Sequence, residues 1–166
     1  MDEFTAAVLA IAVPFIAEQE GFSATPYRDA GGKPTIGFGF TYDEQGHAVT
    51  MATPPMTRNA AMARLTVLVT SYVTSVVAMV HRPLTPNQAA ALTSFAYNEG
   101  TGALRGSRLM TLINQGDMAG AAEQFGAWVY GGSKKLQGLV NRRAAERAMF
   151  LDESGAADAL DAEYNK

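Results

Sequence analysis

Residues 29–34, Asp-Ala-Gly-Gly-Lys-Pro, cannot continue a helix, and they separate two segments of different character. Before them an apolar helical run closes on Glu20. After them Thr35-Ile36-Gly37-Phe38-Gly39-Phe40 alternates like a short strand. Glu20 therefore belongs at a helix end, Asp29 in a loop and Thr35 at the start of a strand. Gly21, and Pro26 ahead of Tyr27, read as turn chemistry between the two acids. Two carboxylates brought to opposite sides of a cleft by a turn suit the cleavage of a glycosidic bond. One protonates the leaving oxygen, and the other handles a water or the sugar cation. A Glu and an Asp nine positions apart are by themselves ordinary surface charges; the order of the residues around them is what carries the specificity.

That order, Glu20, then Pro26-Tyr27-x-Asp29, then Thr35-Ile36-Gly37-x-Gly39, resembles the phage lysozyme family, glycoside hydrolase family 24. A second set of matches follows in the other half: Leu84-Thr85-x-Asn87-Gln88, Ser94-Phe95-Ala96-Tyr97-Asn98-x-Gly100, Asn114-x-Gly116-Asp117, and Gly138-Leu139-Val140-Asn141-Arg142-Arg143-x-x-Glu146-Arg147. The similarity runs from about residue 15 to about residue 151. It implies an α+β lysozyme-like fold, with a small N-terminal lobe (1–57) carrying a short antiparallel sheet, a long connecting helix (58–81), a helical C-terminal lobe (82–151) and a tail (152–166). It implies a peptidoglycan muramidase that needs no cofactor and no metal, with Glu20 as general acid and Asp29 and Thr35 holding the attacking water. Tyr27 stands at the family's aromatic position. Tyr97 and Asn98, at the end of a helix, suit the acetamido groups and hydroxyls of amino sugars, and Ser107 falls where the family places a hydroxyl. Arg142 and Arg143 fall where the family has a basic pair, and one of them is expected to pair with Glu20. Two positions depart from the pattern: Phe40 replaces the usual histidine, and Glu99 follows Asn98 where a small apolar residue is common.

With 166 residues and 48% hydrophobic content, the chain fits one domain with a sizeable core. It has no cysteine, which excludes disulfides and thiolate metal sites, and its two histidines argue against a histidine-rich metal centre. The net charge of −3 speaks against a general polyanion binder, so no nucleic acid partner is expected. The charge divides as −3 over residues 1–81, +4 over 82–150 and −4 over 151–166. A basic second half suits an anionic polymer such as peptidoglycan, although ordinary scatter accounts for it equally.

The run Phe4–Ala17 follows Asp2 and Glu3 rather than a basic segment, and it lacks an Ala-x-Ala site before Glu20. It reads as a soluble helix delivering Glu20, with Pro14 as a kink or as the true first turn; the alternative is a signal-anchor segment. Residues 35–50 read as a small sheet turning at Asp43-Glu44-Gln45-Gly46. Thr57 reads as a helix N-cap. Leu65–Val80 is free of charge for sixteen residues but short for a membrane span and interrupted by Ser and Thr; its β-branched content would also suit strands, and it is the resemblance, which implies a long connecting helix here, that makes it a helix. His81 is assigned to a helix end, where a cation is favoured. Thr85-Pro86 opens a helix over 87–98 with Ala91, Leu92, Phe95 and Ala96 inward, stopped at Gly100. Thr101-Gly102 extends that turn. Further helices are expected at 110–113, 118–125 and 139–151, the last with Arg142, Arg143 and Glu146 on its polar side. Trp128 reads as core packing ahead of sugar stacking. The tail reads as helical or disordered.

The expected protein is a monomeric endolysin without stable membrane association, held in the host cytoplasm until a holin gives it access to peptidoglycan. A lytic transglycosylase, and a wall-binding module without catalysis, are the alternative readings.

Overall fold

Local chemistry places most elements of the computed structural model, which describes residues 1–152. Helix α1 runs from Glu3 to Glu20, opened by Asp2, whose carboxylate accepts from the Thr5 N–H and hydroxyl. Pro14 sits inside it without ending it. Gly21, at φ +68°, follows Glu20 and bonds its N–H to the Ala17 carbonyl, a left-handed stop that glycine adopts at little cost. The described residues form two compact units, one of residues 13–68 and one of residues 1–12 with 69–152. The division falls inside α1 and inside α2 (Arg58–Val77).

In the smaller unit, strands β1 (Ser23–Arg28) and β2 (Pro34–Gly37) pair antiparallel, with Tyr27 opposite Thr35 and Arg28 opposite Pro34. This corrects the reading of 21–28 as turn. It also corrects the sheet expected over 35–50: residues 35–37 pair with β1, and beyond that only single bridges form, Ile36 with Phe40 and Tyr42 with Ala48. The Asp43–Gly46 turn is present: Asp43 Oδ1 accepts the N–H groups of Gln45 and His47. Ile36, Phe38, Phe40, Val49, Ala61 and Leu65 are buried in this unit, with Val13, Ile16 and Ala17 of α1. Phe40, where the family has histidine, is a core residue. Its ring lies where a Gly37 Cβ would stand (2.6 Å), and the Arg64 guanidinium covers it at 4.5 Å. Thr57 caps α2 through the Ala60 N–H as expected.

In the larger unit, α3 (Pro86–Glu99) starts from a reciprocal cap, Thr85 Oγ1 accepting from the Gln88 N–H while the Gln88 side chain accepts from the Thr85 N–H. It stops at Gly100, φ +97°. Thr101–Arg105 is a short helix, α4, rather than an extended turn. Helices α5 (Arg108–Gln115) and α6 (Met118–Gln124) follow, capped by Ser107 and Asp117. A hairpin of β3 (Tyr130–Gly131) and β4 (Lys134–Lys135), not anticipated, leads to α7 (Gln137–Leu151). Leu92, Phe95, Leu104, Leu109, Ile113, Phe125 and Phe150 form the centre of this core. Trp128 packs edge-on against Phe95 at 5.2 Å, in keeping with its core assignment. His81 lies four residues past the end of α2 rather than in its last turn. Asn114 clamps the segment there, accepting from the His81 N–H and donating to the Met79 carbonyl. The expectation for the tail concerns residues that, from 153 onward, lie outside those described.

Candidate active site

The turn between β1 and β2 is built by Asp29. Its Oδ1 accepts the N–H groups of Gly31 (2.9 Å) and Lys33 (2.8 Å), and Asp29 N–H donates to the Lys33 carbonyl at 3.0 Å. The same carbonyl accepts the Thr35 hydroxyl at 3.0 Å. Asp29 and Thr35 are therefore fixed to one another through a single oxygen atom. Thr35 is buried, whereas Asp29 is half-buried with Oδ2 making no hydrogen bond among the described residues. Because Oδ1 is saturated by the turn, Oδ2 is the oxygen left to meet a substrate or a water.

Glu20 closes α1, half-buried, and its carboxylate lies against the backbone of Gly39. A Cβ on Gly39 would stand 3.0 Å from Glu20 Oε2, and the φ of +84° there also excludes most side chains. Each glycine of the Gly-x-Gly thus makes room, Gly39 for the acid and Gly37 for the Phe40 ring. Tyr27, on β1, lies within electrostatic reach of both acids. Burial, then the charges of Glu20 and Asp29, push its phenol above the ordinary range, so it stays protonated beside both carboxylates.

The structure thereby brings Glu20, Tyr27, Asp29 and Thr35 into the smaller unit. Tyr97, Asn98, Ser107, Arg142 and Arg143 belong to the larger one. Tyr97 is half-buried with its ring 5.3 Å from that of Tyr72, and Asn98 is exposed. Ser107 is buried as the N-cap of α5, accepting from Met110 N–H and donating to the Leu104 carbonyl. Its hydroxyl is committed to the start of that helix.

Arg142, Arg143 and Glu146, expected on the polar side of the last helix, are buried, at 5%, 1% and 0% exposure. The one carboxylate is the shared countercharge of both arginines. Arg142 Nε lies 3.1 Å from Glu146 Oε1, and Arg143 Nε lies 3.1 Å from Oε2, the latter aligned as an ion pair rather than a hydrogen bond. Ser94 donates to Glu146 Oε1 and accepts from Arg142. Burial pushes the Glu146 carboxyl up, and Arg143, the Ser94 hydroxyl and Arg142 offset this only in part. Sequence reading missed Glu146 as the hub; its spacing of four and three from two arginines was the available signal. Among the described residues no group of His, Asp and Glu is arranged to hold a metal ion.

A carboxylate at a helix end, a second on a strand turn tied to a threonine hydroxyl, and helices over a buried aromatic core fit a lysozyme-like glycosidase. The family model for phage lysozyme matches residues 17–146, and the chain belongs to that family. The SAR-endolysin of Escherichia phage Mu is 36% identical over 135 residues, covering 79% of this chain and 73% of that protein. The endolysin of Bacillus phage PZA is 54% identical over 67 residues, 40% of this chain and 26% of that longer protein. Among solved structures, the endolysin from Escherichia coli O157:H7 phage FAHEc1 superposes with a TM-score of 0.78 at 32% identity, covering 86% of this chain and 91% of that one.

Proposed function

We propose that this protein is an endolysin muramidase that hydrolyses the β-1,4 bond between N-acetylmuramic acid and N-acetylglucosamine in peptidoglycan and so lyses the host cell. Glu20 is the general acid that protonates the leaving oxygen. Asp29 Oδ2 and Thr35 Oγ1 hold the attacking water. The observation that carries this reading is the pair of bonds to the Lys33 carbonyl. Thr35 spends its proton there, so its oxygen faces a water as an acceptor, as Asp29 Oδ2 does. A water donating one hydrogen to each turns its lone pairs toward the sugar carbon. That arrangement suits inversion, in which a carboxylate activates a water; a retaining enzyme would instead attack with Asp29 itself.

The family's activity tests simply. Wild type should clear a suspension of chloroform-treated Gram-negative cells. Glu20→Gln, whose amide has no proton to give, should lose nearly all lysis while melting within a few degrees of wild type. Substantial lysis by that variant would overturn the assignment of the acid.

Where the enzyme waits before lysis is part of the same proposal. Val8, Ala12 and Ile16 of α1 are fully buried, which supports a helix packed into the fold rather than a membrane anchor; the enzyme is then monomeric, holin-dependent and active on periplasmic peptidoglycan. Among the described residues the one helix long and apolar enough to cross a membrane is α2, whose Leu65, Val69, Val73 and Val76 are core residues. Several relatives are SAR-endolysins, so the rival route is export by an N-terminal anchor. Expressed without a holin, the protein should stay in the soluble fraction and leave cells intact; membrane recovery with slow spontaneous lysis would favour the anchor.

A further inference from the structure

Asn98 ends α3 beside Glu99, exposed, and its side-chain oxygen is held by Arg143 Nη2 at 2.5 Å. A guanidinium carries only donors, so the amide atom facing it must be Oδ1. The amide is thereby locked with its NH2 turned away from Arg143, and Nδ2 makes no hydrogen bond among the described residues. Arg143 is itself 1% exposed and anchored by the buried Glu146, whose other oxygen is held by Arg142 and Ser94. The chain of contacts therefore runs from a buried carboxylate through a buried cation to one exposed amide, and it fixes that amide's polarity. Glu99, 3.7 Å from Arg143 Nη1 and partly exposed, places a carboxylate on the next residue. A ligand group that meets the Asn98 NH2 must be an acceptor. Beside the Glu99 carboxylate, a neutral acceptor is favoured over an anionic one, because like charges repel.

We propose that Asn98 is a specificity residue that donates its NH2 to the acetamido carbonyl of an N-acetylated amino sugar, and that Arg143 and Glu146 are positioning residues that hold it in that orientation. This rests on the peptidoglycan reading above and names the group recognised. Asn98→Asp isolates the claim. The carboxylate still accepts from Arg143, so the buried network keeps its partner, while the outward donor is lost and one negative charge is added.

The test measures binding in the Glu20→Gln background, where turnover does not interfere. Pelleting with intact sacculi, with chemically de-N-acetylated sacculi and with sacculi re-acetylated by acetic anhydride gives affinities for three versions of one polymer. Adding Asn98→Asp should weaken binding roughly tenfold on intact and re-acetylated sacculi, the scale of one lost hydrogen bond, and should not weaken binding to the de-acetylated polymer, whose free ammonium groups a carboxylate attracts. Glu146→Gln, if folded, should blur the same preference without touching Asn98. Equal weakening by Asn98→Asp on all three polymers, or no weakening on any, overturns the proposal. Failure of the muramidase reading would look different: wild type would then release no glycan fragments from any of the three.

Discussion

The Glu20 carboxylate rests on the bare backbone of Gly39, with Oε2 only 3.0 Å from the place a Cβ would occupy. A glycine two residues past the end of β2 thus sets the position of an acid at the end of α1. Gly39→Ala should push that carboxylate aside and add strain at φ +84°, costing about 1–2 kcal/mol of stability. Lysis should fall much more than stability, on the order of a hundredfold, as expected for a misplaced catalytic group. Melting curves and turbidity rates on one preparation check this; unchanged lysis would mean that Glu20 tolerates displacement.

Asp29 has separate jobs for its two oxygens. In Asp29→Asn the amide oxygen still accepts from Gly31 and Lys33 N–H, so the β1–β2 turn should survive. The NH2 at the Oδ2 position cannot take a proton from water. Lysis should drop by about 10²–10⁴, the usual weight of a general base, with a melting point near wild type. Loss of folding instead would show that the charge at Asp29 is needed for the turn itself.

Glu146 should matter to stability out of proportion to its distance from any surface. Glu146→Gln removes the countercharge of two buried arginines, a change that typically costs about 3–5 kcal/mol. Arg142→Ala and Arg143→Ala should each be destabilising for the converse reason. Denaturant melts decide the matter: shifts under about 1 kcal/mol, as for exposed pairs, would contradict the burial of this cluster.

Tyr27 supplies a pH test of how close the acids are. Burial and the charges of Glu20 and Asp29 raise its phenol pKa in the folded state. The folded protein therefore holds that proton more tightly than the unfolded chain does. The stability Tyr27 contributes is complete below the ordinary tyrosine pKa of about 10 and is lost as pH rises through the higher folded value. The ultraviolet titration difference between wild type and Tyr27→Phe should show this raised midpoint. Glu20→Gln should lower it, since one of the two charges is gone. A midpoint indifferent to Glu20 would place the acid too far away to act there.

Much of this was legible in the sequence where punctuation is strong. Thr85-Pro86 opening α3, Gly21, Gly100 and Gly116 closing helices, and the run 29–34 forcing a turn all act through one residue's backbone freedom or a side-chain cap. Strand β1 was not legible because Ser23–Arg28 is mostly exposed and has no apolar alternation. Its pairing comes from the Asp29 turn folding β2 back onto it. The region after Phe40 gave a true turn signal but little sheet, since the left-handed glycines 37 and 39 return Phe40 to Ile36 and end the strand. The arginine pair with Glu146 was misread for a different reason. Pattern reading treats charge as exposed, whereas a shared countercharge permits burial, and only the packing of α3 on α7 reveals that Ser94 joins the network. In the site itself, the identities of Glu20, Asp29 and Thr35 came from motif resemblance. The Lys33 carbonyl and Gly39, which arrange them, are backbone features that no residue type announces.

The central claim is hydrolysis by a water held between Asp29 and Thr35, with Glu20 as acid, and the newly formed sugar end records it. Purified peptidoglycan should be digested briefly and the fresh products examined by NMR and mass spectrometry before mutarotation sets in. Reducing ends of α configuration, heavier by one water than anhydro products, are the predicted result. Ends of β configuration would make Asp29 a nucleophile, and 1,6-anhydro ends would mean that no water is used at all.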